Sequence, residues 1–231
     1  MRLHVAKGGR AGAPAIVFLH GLGSSAATWA TCMTILGSGD DAFEVVAVDL
    51  LGHGDSPVPD DPAEYTRDLA LRDLDEVIAS VGARGSAPVL VGHSLGGYLS
   101  LAHAVTRPNA ARAIVTINTG PGFRDPAKRE AWNERSRRNA HKFGVPPQVT
   151  NLNLHDDSLV MDHLGEIEVP TLLLVGELDR PEYVVSGEYL ERKMPHARLQ
   201  VIAGGEHSMH ESSHAAQVAA AVRTFIGSLT E

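Results

Sequence analysis

The chain has 231 residues, 43% of them hydrophobic and 21% charged, with a formal net charge of −8. That length suits one full core with room for a small insertion, and the acidic balance speaks against general nucleic-acid binding. The single cysteine, Cys32, excludes an internal disulfide, and no cysteine cluster marks a zinc site. The first residues, Met1-Arg2-Leu3-His4-Val5-Ala6-Lys7-Gly8, lack the apolar run of a signal peptide. No stretch is long and apolar enough to span a membrane, so the cytoplasm is the expected compartment.

Apolar runs alternate with longer helix-like segments. Strands are expected at 15–19, 43–48, 88–91, 113–117, 171–175 and 199–202, with a further edge strand at 3–6. Their continuous β-branched character, rather than strict alternation, suits a parallel sheet covered on both faces. Helices are expected at 26–36, 66–81, 95–106, 182–194 and 213–226. The helix at 66–81 shows helical recurrence in Leu69, Leu71, Leu74, Val77, Ile78 and Val81. Pro108 and Pro195 bound two of the others. Alternation of strand and helix implies an α/β doubly wound sheet. Between the strands at 113–117 and 171–175 the connection is far longer than a βα unit needs. It holds a helix at 126–143 and a short one at 158–164. We read it as a small helical cap over 120–166, with 1–119 and 167–231 forming the core.

The chemistry is signalled at Val89-Leu90-Val91-Gly92-His93-Ser94-Leu95-Gly96-Gly97. A strand runs into Gly-x-Ser-x-Gly and then a helix, the pattern of a nucleophile elbow. Ser94 would stand at a helix N-terminus, where backbone N–H groups favour negative charge. By itself the pentapeptide is modest evidence. An activated serine also needs a base, an orienter and oxyanion donors, all at the carboxyl ends of strands. His207 follows the strand at 199–202 on a glycine-bearing loop and is the expected base. Asp179 follows the strand at 171–175 and is the expected orienter, with Glu177 in reserve. Leu95 N–H supplies one oxyanion donor, and Leu22 N–H, in His20-Gly21-Leu22-Gly23, the other. His20 is expected to brace that turn, and His210 and His214 to be packing or surface residues. His207 and His210 lack a third metal ligand, so neither a metal nor a cofactor is expected.

With these residues in place the chain resembles the α/β-hydrolase superfamily, in its small branch of esterases, lactonases and related acyl hydrolases. The resemblance rests on His20-Gly21-Leu22-Gly23, Asp49-Leu50-Leu51-Gly52-His53-Gly54-Asp55-Ser56, Gly92 to Gly97, Gly176-Glu177-Leu178-Asp179 and Gly205-Glu206-His207. The order Ser, Asp, His matches the family. It implies an α/β-hydrolase fold, a mostly parallel doubly wound sheet flanked by helices, with the cap inserted. It also implies a structural role for the loop at 49–56, so His53 is not expected to be catalytic. Dehalogenases and epoxide hydrolases of this fold carry Asp at the elbow, so Ser94 implies acyl transfer. The expected activity is cleavage of a small ester, thioester or lactone by a carboxylesterase-like enzyme. C–C bond hydrolysis or lyase chemistry with the same triad, and a slow-turnover ligand receptor, are the alternatives.

Substrate choice would lie in the cap. Residues 128–143 carry six Lys or Arg against two Glu. Trp132, Asn139 and Phe143 fall near one helical face, with Arg135 and Ser136 between them. That face is expected to roof the site. The plainer reading of these charges is a solvated basic helix offset by acidic surface; the sharper alternative is that Arg135 or Arg138 meets an anionic group on a small-molecule substrate, as carboxylate capture favours Arg. Composition says nothing of oligomeric state.

Overall fold

A computed structural model describes residues 1–82, 86–211 and 214–229. Seven strands form one sheet: β1 (Val5–Gly9), β2 (Ala15–Leu19), β3 (Glu44–Val48), β4 (Val89–His93), β5 (Ala113–Ile117), β6 (Thr171–Gly176) and β7 (Ala197–Ile202). Their order is β1-β3-β2-β4-β5-β6-β7. Only β1 runs antiparallel, pairing Val5 with Val48 and Gly9 with Glu44. The remaining pairs are parallel, so their carboxyl ends share one edge.

The β-branched runs form central strands because both of their faces are covered. On β2, Val17 and Leu19 enter one apolar cluster while Ile16 and Phe18 enter the other. The first cluster is closed by α2 (Arg67–Ala79), α3 (Leu95–Thr106) and α6 (Pro181–Lys193), through Leu71, Leu99 and Leu190. The second is closed by α1 (Ala30–Leu36) and α7 (Ala215–Ser228), through Leu36, Val222 and Phe225. Each large side chain buried this way contributes roughly 2–3 kcal/mol. α2 starts where Thr66 accepts a bond from the Leu69 N–H at 3.3 Å, an N-cap.

Several boundaries differ from the sequence reading. The N-terminal edge strand lies at Val5–Gly9 rather than 3–6, because pairing with β3 outweighs the poor strand propensity of Gly8 and Gly9. β7 begins at Ala197, before its apolar run, because β6 extends the ladder to Ala197. The helix expected at 26–36 opens as a 3-10 turn (Ala26–Trp29), whose Ala26 N–H is taken by the Asp49 carboxylate at 2.6 Å. The start of the last helix at Ser213 lies outside the described residues.

Between β5 and β6 come α4 (Pro126–Arg138), 3-10 turns at Ala140–Phe143 and Pro147–Asn153, and α5 (Leu159–Asp162). α4 therefore stops short of Phe143. Asn139 caps it, its side chain donating to the Arg135 carbonyl at 2.9 Å, and Gly144 turns left-handed at φ 65°. The Arg67 guanidinium holds this connection to α2 through two bonds to Asp157, at 2.6 and 2.9 Å.

Candidate active site

Ser94 sits at the junction of β4 and α3 with φ 50° and ψ −111°. This conformation is strained for a non-glycine residue, by about 1–3 kcal/mol, and persists only where surroundings impose it. The surroundings are visible. The Ser94 N–H is held by the Ile117 carbonyl of β5 at 2.9 Å. The neighbouring chains are so close that a Cβ at Gly96 would overlap the Leu19 carbonyl, and one at Gly92 the Gly96 carbonyl. Only glycine fits either place.

The turn after β2 is shaped by two neutral imidazoles. His20 is fully buried; its Nδ1–H donates to the Gly21 carbonyl at 2.7 Å and its Nε2 accepts the Leu50 N–H at 3.0 Å. His53 donates from Nδ1 to the Leu51 carbonyl at 3.1 Å and accepts the Gly23 N–H on Nε2 at 3.0 Å. Burial holds both below the usual imidazole range, His20 down to about 4 with His53 adding to the effect. Neither ring presents a free nitrogen to Ser94. They leave the N–H groups of Leu22 and Leu95 unused by any bond among the described residues. Leu95 opens α3, where the helix dipole adds positive potential.

Asp179 follows β6 and is 9% exposed. Its Oδ1 accepts the Arg180 N–H at 2.7 Å, and its Oδ2 accepts the His207 Nδ1–H at 2.8 Å. His207 thus keeps Nε2 as its unprotonated nitrogen when neutral. Glu177 points elsewhere, its Oε2 taking the Gly204 N–H at 2.9 Å. His207 and Ser94 line one polar cavity of about 570 Å³, which also holds Leu22.

Three further residues belong to the site, and only His93, inside the elbow pentapeptide, lies in a motif. Asn118, fully buried at the end of β5, donates to the carbonyls of Glu206 and His207 at 3.0 and 2.7 Å, and accepts the Gly176 N–H at 2.8 Å. It fastens the loop of His207 to the end of β6. His93 adds a bond from Nε2–H to the His207 carbonyl at 2.9 Å. Tyr183, in the first turn of α6, lies 4.8 Å from the His207 ring and lines the same cavity as Ser94. Its hydroxyl accepts from Arg180 at 2.8 Å, and burial raises it above the usual phenol range, so it stays a neutral donor. Tyr183 follows Asp179 by four residues, and that spacing is the one sequence signal for it.

Of the residues expected to roof the site, Trp132, Arg135, Ser136, Asn139 and Phe143 all line the polar cavity. Arg135 lies 4.8 Å over the Trp132 ring. Arg138 does not join them: it is exposed and lines neither cavity at Ser94, because it falls on the outer side of α4. His210 is buried rather than superficial, packed 4.3 Å from both Trp29 and His93. Among the described residues, the one cluster with metal-ligand spacing is His4, Asp49 and Asp55, and Asp49 there is committed to Ala26 and Asp55 N–H groups. No helix of the described residues is long and apolar enough to cross a membrane.

Comparison with known proteins agrees with this architecture. A Bacillus subtilis (strain 168) protein, provisionally named 2-succinyl-6-hydroxy-2,4-cyclohexadiene-1-carboxylate synthase, is 23% identical over 91% of this chain and 89% of its own. The structure of MenH from S. aureus superposes with a TM-score of 0.82 at 19% identity, over 100% of this chain and 99% of that one. The enol-lactonase from Burkholderia xenovorans LB400 superposes with a TM-score of 0.77 at 21% identity, over 97% and 96%. A sequence profile described as "Alpha/beta hydrolase family" matches residues 16–221. The chain belongs to the alpha/beta hydrolase family.

Proposed function

We propose that this chain is a serine hydrolase cleaving a small ester, thioester or lactone through Ser94, His207 and Asp179. One observation carries the reading: a strained serine shares a cavity with an imidazole whose far nitrogen is bonded to a buried carboxylate at 2.8 Å. His207 Nε2 takes the Ser94 proton as Oγ attacks the substrate carbonyl carbon. The oxyanion is received by Leu22 and Leu95 N–H groups; losing one such donor costs roughly 3 kcal/mol in the barrier. His207 then passes the proton to the leaving group, and water, activated by the same nitrogen, releases the acyl group from Ser94.

A fluorophosphonate probe tests this directly. It labels Ser94 in folded protein, and turnover of p-nitrophenyl acetate disappears in Ser94→Ala. No adduct on Ser94, or turnover that survives the substitution, would sink the reading.

The second reading, C–C bond hydrolysis or lyase chemistry on a carboxylated substrate, is favoured by the cations of the polar cavity. Arg135, Lys142 and Arg180 all line it, and neither Arg135 nor Lys142 has an ion-pair partner among the described residues. Under either chemistry the part of the substrate held there is anionic. Arg135→Ala accordingly raises KM for an acidic ester about tenfold over its effect on a neutral one. Arg138→Ala changes neither. Equal KM effects on both esters in Arg135→Ala would remove the anionic subsite.

A further inference from the structure

Ser94 lies where two cavities meet. One is the polar cavity that holds His207. The other, about 240 Å³, is walled mainly by Leu95, Tyr98, Phe123, Trp132, Leu152 and His155. His207 does not line it. On the serine-hydrolase reading, the leaving group receives its proton from His207 and therefore occupies the polar cavity. The acyl group is left with the second cavity, whose walls are rich in aromatic rings.

The wall is not purely apolar: Arg135, Asn153, Glu182 and Ser186 also line it, and His155 is the polar ring set among its aromatic side chains. His155 is 9% exposed and sits among rings: Tyr98 at 4.5 Å edge-on, Phe123 at 5.7 Å and Trp132 at 6.1 Å. Its backbone is clamped by the Asn133 side chain, which takes the His155 N–H and donates to its carbonyl, each at 2.9 Å. The ring nevertheless has no hydrogen bond among the described residues. Nδ1 is enclosed without a partner, and Nε2 makes no bond among the described residues. Gly122 packs against the Nδ1 edge, where a Cβ would stand 3.1 Å from Nδ1, so Nε2 is the nitrogen a ligand can reach. Burial holds the imidazole down to about 4, so near neutral pH it carries one donor and one acceptor nitrogen. A polar ring held unpaired among aromatic side chains is a net cost to the fold unless a ligand supplies its partner.

We propose that this cavity is the acyl pocket, that it takes an aromatic acyl group bearing a hydroxyl, and that His155 hydrogen-bonds that hydroxyl and sets the preference for it. The aromatic walls supply stacking and edge contacts, which are tolerant of ring position. The imidazole supplies the discrimination, because an acyl ring without a hydroxyl leaves His155 unpaired in a site now closed to water.

The experiment is a titration of the intact protein, followed by tryptophan fluorescence. The ligands are 3-phenylpropanoate and its 2-, 3- and 4-hydroxyphenyl counterparts, which are products of such esters. The best hydroxy acid binds about tenfold more tightly than the unsubstituted acid. In His155→Phe and His155→Leu that gap closes to within about twofold, while His155→Gln, which keeps a donor and an acceptor, retains part of it. Equal binding of all four acids by the wild type, no binding of any, or a gap that survives His155→Phe or His155→Leu would each overturn the proposal. The readout needs no turnover, so it stands apart from Ser94 labelling: loss of the label refutes the hydrolase reading and leaves the binding gap to be measured.

Discussion

Asp179→Asn lowers kcat by about 10,000-fold while leaving the chain folded. The geometry makes the loss specific. Asp179 Oδ1 is occupied by the Arg180 N–H and Oδ2 by His207 Nδ1–H. An asparagine keeps its carbonyl oxygen on the backbone N–H, and so turns its NH₂ toward the imidazole. His207 must then place its proton on Nε2, where the base is needed, and Ser94 loses its acceptor. The measurement is kcat for p-nitrophenyl acetate across pH, beside the thermal midpoint of the variant. A fall of less than tenfold with unchanged stability would show that Asp179 is not the orienter.

The second large effect is on stability in acid. His20 and His155 are held down to about 4, and His210 to about 3, in each case chiefly by burial. His93, fully enclosed beside His210, is held well below the usual range for the same reason. The unfolded chain binds these protons near 6.5, before the folded one does. Stability is therefore whole above about pH 6.5 and falls as the pH drops toward 4. For His20 and His155 the difference amounts to about 3 kcal/mol each. Their sum is a large part of the 5–15 kcal/mol typical of a folded domain. Asp49 and Asp157, both held below the usual carboxylate range, withdraw their contributions only below about pH 4, so the earlier window belongs to the imidazoles. Glu211, raised by burial, works in the opposite direction. Urea unfolding at pH 7.5, 6.0, 5.0 and 4.5 reads the slope. A flat stability between 7.5 and 5.0 would mean that these rings take up protons without unfolding.

Much of this was legible in sequence, for identifiable reasons. The central strands announced themselves because burial on both faces demands unbroken β-branched runs such as Ala113–Ile117. Ser94, Asp179 and His207 could be nominated because each follows such a run, and glycines mark the close approaches around them. β1 was harder, since Lys7, Gly8 and Gly9 gain strand structure only from β3. The limits of α4 escaped because Asn139 caps it in an otherwise helical run. Asn118 and His155 escaped for a deeper reason. Their partners lie far away in the chain or in an irregular stretch without periodicity, so nothing local marks them. Arg138 lies away from the cavity, and charge and spacing do not say which side of a helix meets it.

Asn118, the first residue after β5, ties the loop of His207 to the end of β6, through bonds that involve no residue of the 120–166 segment. The reactive part of the site is thereby assembled by the sheet, while Trp132, Arg135 and His155 come from the segment above it. Motion or replacement of that upper segment need not disturb the placement of Asp179 and His207 below. A lineage built on this plan can exchange its substrates by rewriting α4 and the turns after it, and keep its reaction throughout.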